Sequence, residues 1–454
     1  MSESVLIIGG GVCGIQAALD LGDKGHHVYL VEKEPSIGGR MALLDKVFPT
    51  NDCSICILAP KMITCFNHPN IDVLTCSEVE QVKGKSGNFH VKVRRKARYV
   101  DENKCTGCDA CTRECVLAGK IPDEWNEGFS TRGASYIPFM QAVPRVAIID
   151  PERCLLLTKG KCKSKCVDAC QRGAIDFDMK DKVDTLDVGA IIAATGLTIY
   201  DPTDVTEYGY GRFDNVIHSM EYERLINASG PTGGHLQRRS DGERPKRIAY
   251  IQCVGARDVR SGHPYCCSVC CMYATKDAML AYMHHDDTEN FIFYTDLRAF
   301  GRGFDEYIKR GKDEYRIKYI RARPGEVTED METKNLRVWY DDTETGGVKN
   351  MEVDMVVLSV AFIPPPGIED LAKVLGVDMD EYKFFKADDD LLAPMDTNVA
   401  GIYIAGACTR PMDVTDAVTQ GGGAADRAAQ SIREYARKTP VNVGVGRQEV
   451  GHGG

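Results

Sequence analysis

The chain has 454 residues, which allows two to four domains with ample core, and a formal net charge of −10. That acidic balance argues against nucleic acid as the main partner. No apolar run is long enough to span a bilayer, and the N-terminal residues read as a strand and glycine turn without a secretory leader. We therefore expect a cytoplasmic protein that reaches a membrane only through partner subunits. Nineteen cysteines, many in C-x-x-C patterns, favour metal ligation over structural disulfides.

The first strong chemical signal is a dinucleotide-binding fingerprint. Val5–Ile8 is a short apolar strand, and the pattern Gly9-x-Gly11-x-x-Gly14 follows it directly. Glycines at this spacing permit a tight turn and a close approach of the backbone to a pyrophosphate at a helix N-terminus. A second strand ends at Glu32, whose carboxylate is placed to hold a ribose hydroxyl. The complete strand–helix–strand context predicts dinucleotide binding rather than a glycine turn alone.

Three later stretches resemble parts of two-domain flavoprotein reductases, and this resemblance implies FAD rather than NAD. The first is a Gly-Gly-Arg turn at 38–40, the second is AIIAATG at 190–196, and the third is the closing strand TNVAGIYIAG at 397–406. Backbone N–H groups of the next helix are expected to face the flavin. The implied contacts are Gly39, Arg40, Thr195, Gly196, Gly406, Thr419 and Gln420.

A C-x-x-C pair, Cys53 and Cys56, follows the predicted flavin loop. Dithiol flavoproteins carry a redox pair in a comparable stretch, so these cysteines are candidate catalytic residues. The alternatives are part of an additional metal site and two buried thiols that behave as small hydrophobes. The isolated Cys13, Cys65 and Cys76 are expected to be buried structural cysteines.

Two cysteine-rich motifs interrupt the predicted flavin domain. The first, CTGCDACTREC at 105–115, has the C-x2-C-x2-C-x3-C spacing of bacterial ferredoxins, in which the fourth cysteine ligates a second cluster. The second motif, at 154–170, has irregular spacing. Exchanging the last cysteine of each motif predicts two [4Fe–4S] ligand sets. One contains Cys105, Cys108, Cys111 and Cys170, and the other contains Cys115, Cys154, Cys162 and Cys166.

Zinc is the alternative for both motifs, although a four-cysteine zinc site usually consists of two C-x-x-C knuckles. Four lysines between 159 and 165 surround the second motif. Their positive charge predicts either attraction of an acidic redox partner or simply a solvated loop.

A second Rossmann-like unit begins with the strand RIAYIQ at 247–252. Where a two-domain reductase would have a second glycine fingerprint for NAD(P)H, this chain has a cysteine turn and then YCCSVCC at 265–271. A helix over Met272–His284 and a strand over Phe291–Tyr294 preserve the Rossmann order. A third [4Fe–4S] cluster is predicted here. Its ligands would be Cys253, Cys266, Cys270 and Cys271, with Cys267 left over.

Four segments resemble the HdrA family of heterodisulfide reductase subunits, and the match extends from Val5 to Gln430. These segments are CSICILAPKM at 53–62, STRGASYIPFMQAVPRVAIID at 130–150, IQCVGARD at 251–258 and YCCSVCCMYATKDA at 265–278. The resemblance implies a thioredoxin-reductase-like FAD protein that passes electrons through iron–sulfur clusters. It also implies the third ligand set, other heterodisulfide-reductase-like subunits as partners, ferredoxin as a further partner, and a homodimer within the complex.

The chain departs from the methanogen pattern in lacking a C-terminal ferredoxin module and an extra N-terminal domain. It also reads TRPMDVTDAVTQGG at 409–422, with Met412 where the methanogen-type motif tends to carry lysine. This motif resembles the one in QmoA, a subunit of the quinone-interacting oxidoreductase of sulfate reducers. Loss of a positive charge near the flavin favours a non-bifurcating relay over flavin-based bifurcation or confurcation. The other hypotheses are a stand-alone NAD(P)H reductase, disfavoured by the missing second fingerprint, and a scaffold with vestigial motifs.

The predicted fold class is α/β, with two Rossmann-like domains and a two-cluster ferredoxin inserted in the first. The expected segments are FAD-binding residues 1–98, the ferredoxin insertion at 99–180, FAD-binding residues and a linker at 181–244, a cluster-bearing nicotinamide-domain-like unit at 245–365, FAD-binding residues 366–437 and a flexible tail at 438–454.

Overall fold

The structure is a computed structural model that describes residues 2–438. The predicted tail lies outside this range except for Lys438, which ends the last helix. No helix in the described range combines the length and hydropathy needed to cross a membrane.

The chain forms two large parallel sheets and several small ones. The strands are β1 (Val5–Ile8), β2 (Val28–Val31), β3 (Lys46–Val47), β4 (Asp52–Cys53), β5 (Ile71–Leu74), β6 (Ser77–Lys85), β7 (Asn88–Arg95), β8 (Ile121–Pro122), β9 (Thr131–Arg132), β10 (Ser135–Tyr136), β11 (Ile148–Ile149), β12 (Lys182–Val188), β13 (Ala190–Ala193), β14 (Thr198–Ile199), β15 (Val216–His218), β16 (Arg247–Val254), β17 (Glu289–Tyr294), β18 (Lys318–Arg321), β19 (Pro324–Glu329), β20 (Leu336–Asp341), β21 (Val348–Val353), β22 (Met355–Val360), β23 (Phe362–Ile363) and β24 (Ile402–Ile404).

The helices cover the faces of these sheets. The α-helices are α1 (Val12–Asp23), α2 (Ser54–Asn67), α3 (Ala110–Arg113), α4 (Leu155–Lys159), α5 (Lys165–Ala169), α6 (Ser219–Ile226), α7 (Cys270–His284), α8 (Phe304–Asp313), α9 (Ile368–Leu375) and α10 (Val414–Lys438). Short 3-10 helices span Gly39–Leu43, Glu124–Asn126, Pro202–Asp204, Thr206–Tyr208 and Gly406–Cys408.

The first large sheet has the strand order β24-β13-β1-β2-β5, and every pairing is parallel. Its central strands are fully buried, as expected for apolar strands covered on both faces. Helices α1 and α10 pack against each other beside this sheet, and α1 also contacts α2. The carboxyl end of β1 therefore opens at the N-terminus of α1, which is the position of the predicted dinucleotide turn.

An antiparallel sheet of order β12-β7-β6 adjoins the first sheet. The chain between β7 and β12 forms a separate small core that contains α3, α4, α5 and both predicted ferredoxin motifs. The insertion thus leaves and re-enters the first domain through neighbouring antiparallel strands.

The second large sheet has the order β15-β22-β16-β17-β18 and is also entirely parallel. The predicted α/β class with two Rossmann-like domains is therefore confirmed. Two boundaries differ from the expectation. The segment 181–244 contributes β15 and α6 to this second unit, and α7 begins at Cys270, two residues before the predicted start.

Candidate functional site

A cavity of about 640 Å³ lies where the first domain, the insertion and the second domain meet. Seven of the eleven predicted flavin contacts line it, namely Gly9, Gly11, Glu32, Gly39, Arg40, Thr195 and Gly196. The cavity therefore begins at the carboxyl end of β1, the usual position for a dinucleotide in a Rossmann-like sheet.

The glycines of the fingerprint have different structural roles. A Cβ on Gly14 would lie 1.9 Å from the carbonyl oxygen of Gly9, so this glycine permits helix α1 to pack against the turn. Gly9 has φ +111°, and a Cβ there would lie 2.3 Å from the carbonyl oxygen of Ala194. A Cβ on Gly11 would meet no protein atom within 4 Å and would enter the cavity. Among these three glycines, open space is thus left only beside Gly11, where a pyrophosphate cradle would need it.

Two charged side chains of the first domain are held in place at the cavity. The Glu32 carboxylate accepts hydrogen bonds from the backbone N–H of Gly10 at 2.6 Å and of Glu34 at 2.9 Å, and burial raises its pKa. The Arg40 guanidinium donates to the carbonyl of Leu197 at 2.9 Å, and burial lowers its pKa. Both groups are therefore rigid parts of the wall.

The remaining predicted flavin contacts lie outside the cavity lining. The Gln420 side-chain oxygen accepts a hydrogen bond from the N–H of Gly406 at 2.9 Å, so this pair braces the closing loop. Thr419 donates to the carbonyl of Thr415 within α10. The first turn of α10, at Val414 and Thr415, faces the cavity in their place, because the helix begins earlier than the sequence pattern suggested.

Sequence reasoning missed a buried ion cluster in the cavity wall. Lys276 of α7 forms an ion pair with Glu223 of α6 and lies 3.1 Å from a carboxylate oxygen of Asp277, with all three side chains at most 5% exposed. The Lys276 ammonium also donates to the carbonyl of Lys46 at 3.3 Å. Burial and the nearby Glu223 raise the pKa of Asp277 well above its usual range, against the opposing effect of Lys276. Charged residues inside the otherwise apolar helix sequence TKDAMLAYM were the available signal.

The insertion also closes the cavity, which its sequence did not reveal. Trp125 and Phe139 stack with their ring centroids 4.1 Å apart, and both line the cavity. The fully buried Arg224 donates to the side-chain oxygen of Asn126 at 3.1 Å and to the carbonyl of Leu43 at 2.8 Å. This guanidinium thereby connects the second domain, the insertion and the first domain at one point.

Within the insertion, the structure brings together cysteines from both motifs. Burial raises the pKa of Cys111, and the nearby thiols of Cys105 and Cys170 raise it further. Cys108, the exposed member of this set, has a pKa lowered by the backbone N–H of Ala110. Helices α3 and α5 pack together here, so the last cysteine of the second motif lies beside the first motif.

The other set of cysteines lines a cavity of about 530 Å³. Burial, followed by the neighbouring thiols of Cys115, Cys154 and Cys162, raises the pKa of Cys166 to about 11. Lys161, Lys163 and Lys165 lie at the same cavity. Cys115 of the first motif thus lies at the same cavity as Cys154, Cys162 and Cys166 of the second.

Five cysteines gather around the end of β16 in the second domain, and Cys253 belongs to the strand itself. The pKa of Cys253 is lowered to about 7. A hydrogen bond with the Cys270 thiol and the nearby Arg257 lower this pKa, and burial opposes them. The same thiol interacts with Cys267 and Cys271. Cys266 lies beside Cys267 and Cys253. Cys267, which the predicted ligand set leaves out, therefore also interacts with the Cys270 thiol.

Among residues 2–438, no three His, Cys, Asp or Glu side chains converge as ligands of a single metal ion. A cubane does not require such convergence, because each of its four thiolates binds a different iron atom. The isolated Cys13, Cys65 and Cys76 are buried. By contrast, Cys53 and Cys56 form a disulfide at the start of α2.

Comparison with known proteins agrees with this arrangement. A family model described as FAD dependent oxidoreductase matches residues 4–45, and one described as pyridine nucleotide-disulphide oxidoreductase matches residues 288–421. The thioredoxin reductases of Lactococcus lactis and T. acidophilum have similar folds, with TM-scores of 0.52 and 0.51. They are 16% and 17% identical to this chain, cover 95% and 96% of it, and are themselves covered to 100% and 98%.

The curated relatives are much closer in sequence. Two of them are iron–sulfur subunits of CoB–CoM heterodisulfide reductase, both of the HdrA type. The one from Methanocaldococcus jannaschii is 50% identical over 94% of this chain, and the one from Methanopyrus kandleri is 52% identical over 95% of it. The chain spans 64% and 65% of the length of these two relatives. Over about 94% of its length the chain is thus similar to HdrA subunits of heterodisulfide reductase, and it has the thioredoxin-reductase-like fold of FAD-dependent oxidoreductases.

Proposed function

We propose that this chain is the electron-transfer subunit of a heterodisulfide-reductase-like complex, with one FAD and three [4Fe–4S] clusters. The observation that carries the proposal lies in the second Rossmann-like unit. Five cysteines gather there around the end of β16, the loop after it and the start of α7, where a pyridine nucleotide would otherwise bind. Such a unit suits electron exchange through a cluster better than hydride exchange with a dissociable nucleotide.

When bound, FAD converts between two-electron and one-electron transfer, and iron–sulfur clusters carry single electrons. Gly11 and the first turn of α10 would hold the phosphates and the flavin end, and Glu32 would orient the ribose. The Lys276–Glu223 pair supplies a charged group and a proton-accepting group at the cavity wall. Trp125 and Phe139 exclude water from the side of the insertion.

The three modules provide distinct positions for one-electron carriers around this cavity. The insertion would hold two clusters through its two cysteine sets, and the second domain would hold the third through Cys253, Cys266, Cys270 and Cys271. Electrons would pass between these clusters and partner subunits, with ferredoxin as one further partner. We propose a cytoplasmic complex containing a homodimer of this chain and attached to a membrane, if at all, through its partners.

The proposal is tested by purifying the chain anaerobically and measuring its cofactors. We expect one FAD and about twelve iron atoms per chain, and no bleaching of the flavin by NADH or NADPH. Rapid bleaching would instead support a pyridine-nucleotide reductase. Isolation of the native complex followed by mass spectrometry identifies the partner subunits.

A second candidate is a non-bifurcating relay between a membrane quinone module and a sulfur or aromatic pathway. It is favoured by Met412, which is buried and lines the flavin cavity without adding a positive charge. Potentiometric titration distinguishes the candidates, because strongly crossed one-electron flavin potentials support bifurcation and uncrossed potentials support the relay. A Met412→Lys variant is expected to raise the flavin potentials, whereas Met412→Gln serves as the uncharged control.

A further inference from the structure

The Cys53–Cys56 disulfide lies at the N-terminus of α2 and is accessible from solvent. Cys56 is exposed and Cys53 is half-buried. The sulfur of Cys53 accepts a hydrogen bond from the backbone N–H of Cys56 at 3.2 Å and caps the helix. A disulfide between residues three apart closes a short loop and removes little entropy from the unfolded chain. Its position therefore suits reactivity better than structural reinforcement.

The two sulfurs are chemically distinct. An incoming thiolate reaches Cys56 more easily, because Cys56 is the exposed partner. The departing sulfur would then be that of Cys53, whose thiolate is stabilised by the Cys56 N–H and by the helix N-terminus. Stabilisation of the leaving thiolate accelerates thiol–disulfide exchange.

An exposed apolar surface continues from Cys56 along α2. Ile57, Ile63 and Phe66 are 40%, 52% and 41% exposed, and we call these three residues the α2 face. Cys56 and Ile63 are seven residues apart and lie on one stripe of the helix. Lys61, the single charged residue of α2, donates to the side-chain oxygen of Gln16 and is held against α1. The α2 face therefore offers apolar contact, and the exposed Asp52 lies on the other side of Cys53, in β4.

Short contacts join the disulfide to the wall of the flavin cavity. Cys53 pairs with Lys46 across the β3–β4 hairpin, and the Ser54 hydroxyl donates to the carbonyl of Met41 at 2.6 Å. Lys46 and Met41 both line the cavity. The disulfide thus lies between the outer surface of α2 and the flavin cavity.

We propose that Cys53 and Cys56 form a thiol–disulfide exchange site for a partner protein that carries a reactive dithiol and docks on the α2 face. One partner thiolate bonds to the Cys56 sulfur as the Cys53–Cys56 bond breaks and Cys53 leaves as a thiolate. The second partner thiol then attacks the mixed disulfide and releases Cys56. The partner is oxidised to a disulfide, and two electrons and two protons remain on Cys53 and Cys56.

The exchange with the partner requires no cofactor and does not rest on the proposed function. A charged ligand is disfavoured by the uncharged α2 face, whereas a protein with an apolar surface around its dithiol matches it.

The test uses the anaerobically purified holoprotein and a thioredoxin whose second active-site cysteine is replaced by serine, so that a mixed disulfide accumulates. Peptide mass spectrometry is expected to find thioredoxin joined to Cys56. Cys56→Ser abolishes the adduct while iron and FAD contents stay unchanged. Ile63→Glu combined with Phe66→Glu slows capture about tenfold or more, because docking loses apolar burial. Reduction of the disulfide in this double variant by dithiothreitol stays as fast as in the unmodified chain.

Met331→Glu is the matched control, because Met331 is 77% exposed and belongs to a turn outside α2. Met331→Glu should leave unchanged both the rate of thioredoxin capture and the rate of disulfide reduction by dithiothreitol. Absence of the adduct, or equal capture by the Cys56→Ser variant, overturns the exchange site, and equal capture by the α2-face variant overturns the docking surface. Loss of about four iron atoms from Cys53→Ser or Cys56→Ser also overturns it, since these cysteines would then be cluster ligands. A holoprotein without FAD contradicts the proposed function and leaves the exchange result intact.

Discussion

The two Rossmann-like units share a parallel sheet but differ at the turn after the central strand. In the first unit, β1 ends at Ile8 and α1 begins four residues later at Val12. In the second, β16 ends at Val254 and α7 begins only at Cys270. The second turn passes through Cys253 at φ +62° and Gly255 at φ +74° and then inserts a cysteine-rich loop.

The difference shows how one scaffold can provide two kinds of cofactor environment. The first turn is short and presents backbone N–H groups and the open space beside Gly11. The second turn is longer and presents thiols, while the helix that follows it, α7, buries Lys276 and Asp277 against Glu223 of α6. We infer that the sheet sets the position of a cofactor and that the length and composition of the turn set its chemistry.

The largest expected effect comes from the packing glycine of the first turn. Gly14→Ala should destabilise the protein by on the order of 4 kcal/mol or more, because its Cβ would overlap the Gly9 carbonyl. Gly11→Ala is the matched control and should lower FAD affinity while leaving the unfolding of the apoprotein nearly unchanged. Denaturant titration of the apoproteins and flavin titration measure the two effects. Equal destabilisation by both variants would refute the separate roles of these glycines.

The second prediction concerns the thiols of the second turn. Cys270→Ser should remove about four of about twelve iron atoms per chain, because one cluster loses a ligand. Cys267→Ser should leave the iron content unchanged, although Cys267 also lies beside Cys270. Measuring the iron and FAD contents of both variants shows which of these cysteines ligates the cluster. Iron loss from Cys267→Ser would require a different ligand set.

Breaking the buried ion cluster of the second unit should have the next largest effect. Lys276→Met leaves Glu223 without its partner in a buried site and should cost about 3–5 kcal/mol of unfolding free energy. Adding Glu223→Gln to this variant should recover part of the loss. Chemical denaturation gives the unfolding free energy of the unmodified chain, of Lys276→Met and of the double variant. If the double variant is no more stable than Lys276→Met, the cost does not come from the unpaired carboxylate.

A smaller effect depends on pH at the start of α6. Burial raises the pKa of Glu221 to about 7, and burial lowers the pKa of its capping partner His218 to about 4. Protonated Glu221 stabilises the fold below pH 4.5, and this stabilisation is lost as the pH rises through 7. Neutral His218 stabilises the fold above pH 6.5, and this stabilisation is lost as the pH falls through 4. Glu221→Gln should therefore gain stability relative to the unmodified chain between about pH 5 and 8, by at most about 3 kcal/mol. The exposed Glu332→Gln should show no such trend in denaturation across this range.

Much of the flavin-side architecture could be predicted because local patterns specify it. The strand Val5–Ile8 has the bounds expected from the apolar run before Gly9, and Ala190–Ala193 lies within the predicted strand and turn at 190–196. The Lys276–Glu223 pair and the Trp125–Phe139 stack could not be predicted, since each depends on contacts between segments distant in the chain. Thr419 and Gln420 were placed at the cavity because the start of α10 has no sharp sequence signal, and the structure starts that helix at Val414.

The most direct test of a cluster in the second turn is a crystal structure of the anaerobic holoprotein with anomalous data at the iron edge. We predict iron density bounded by Cys253, Cys266, Cys270 and Cys271, in addition to two sites in the insertion. A second turn without iron, or with a pyridine nucleotide bound against Gly255, would contradict a cluster at this position.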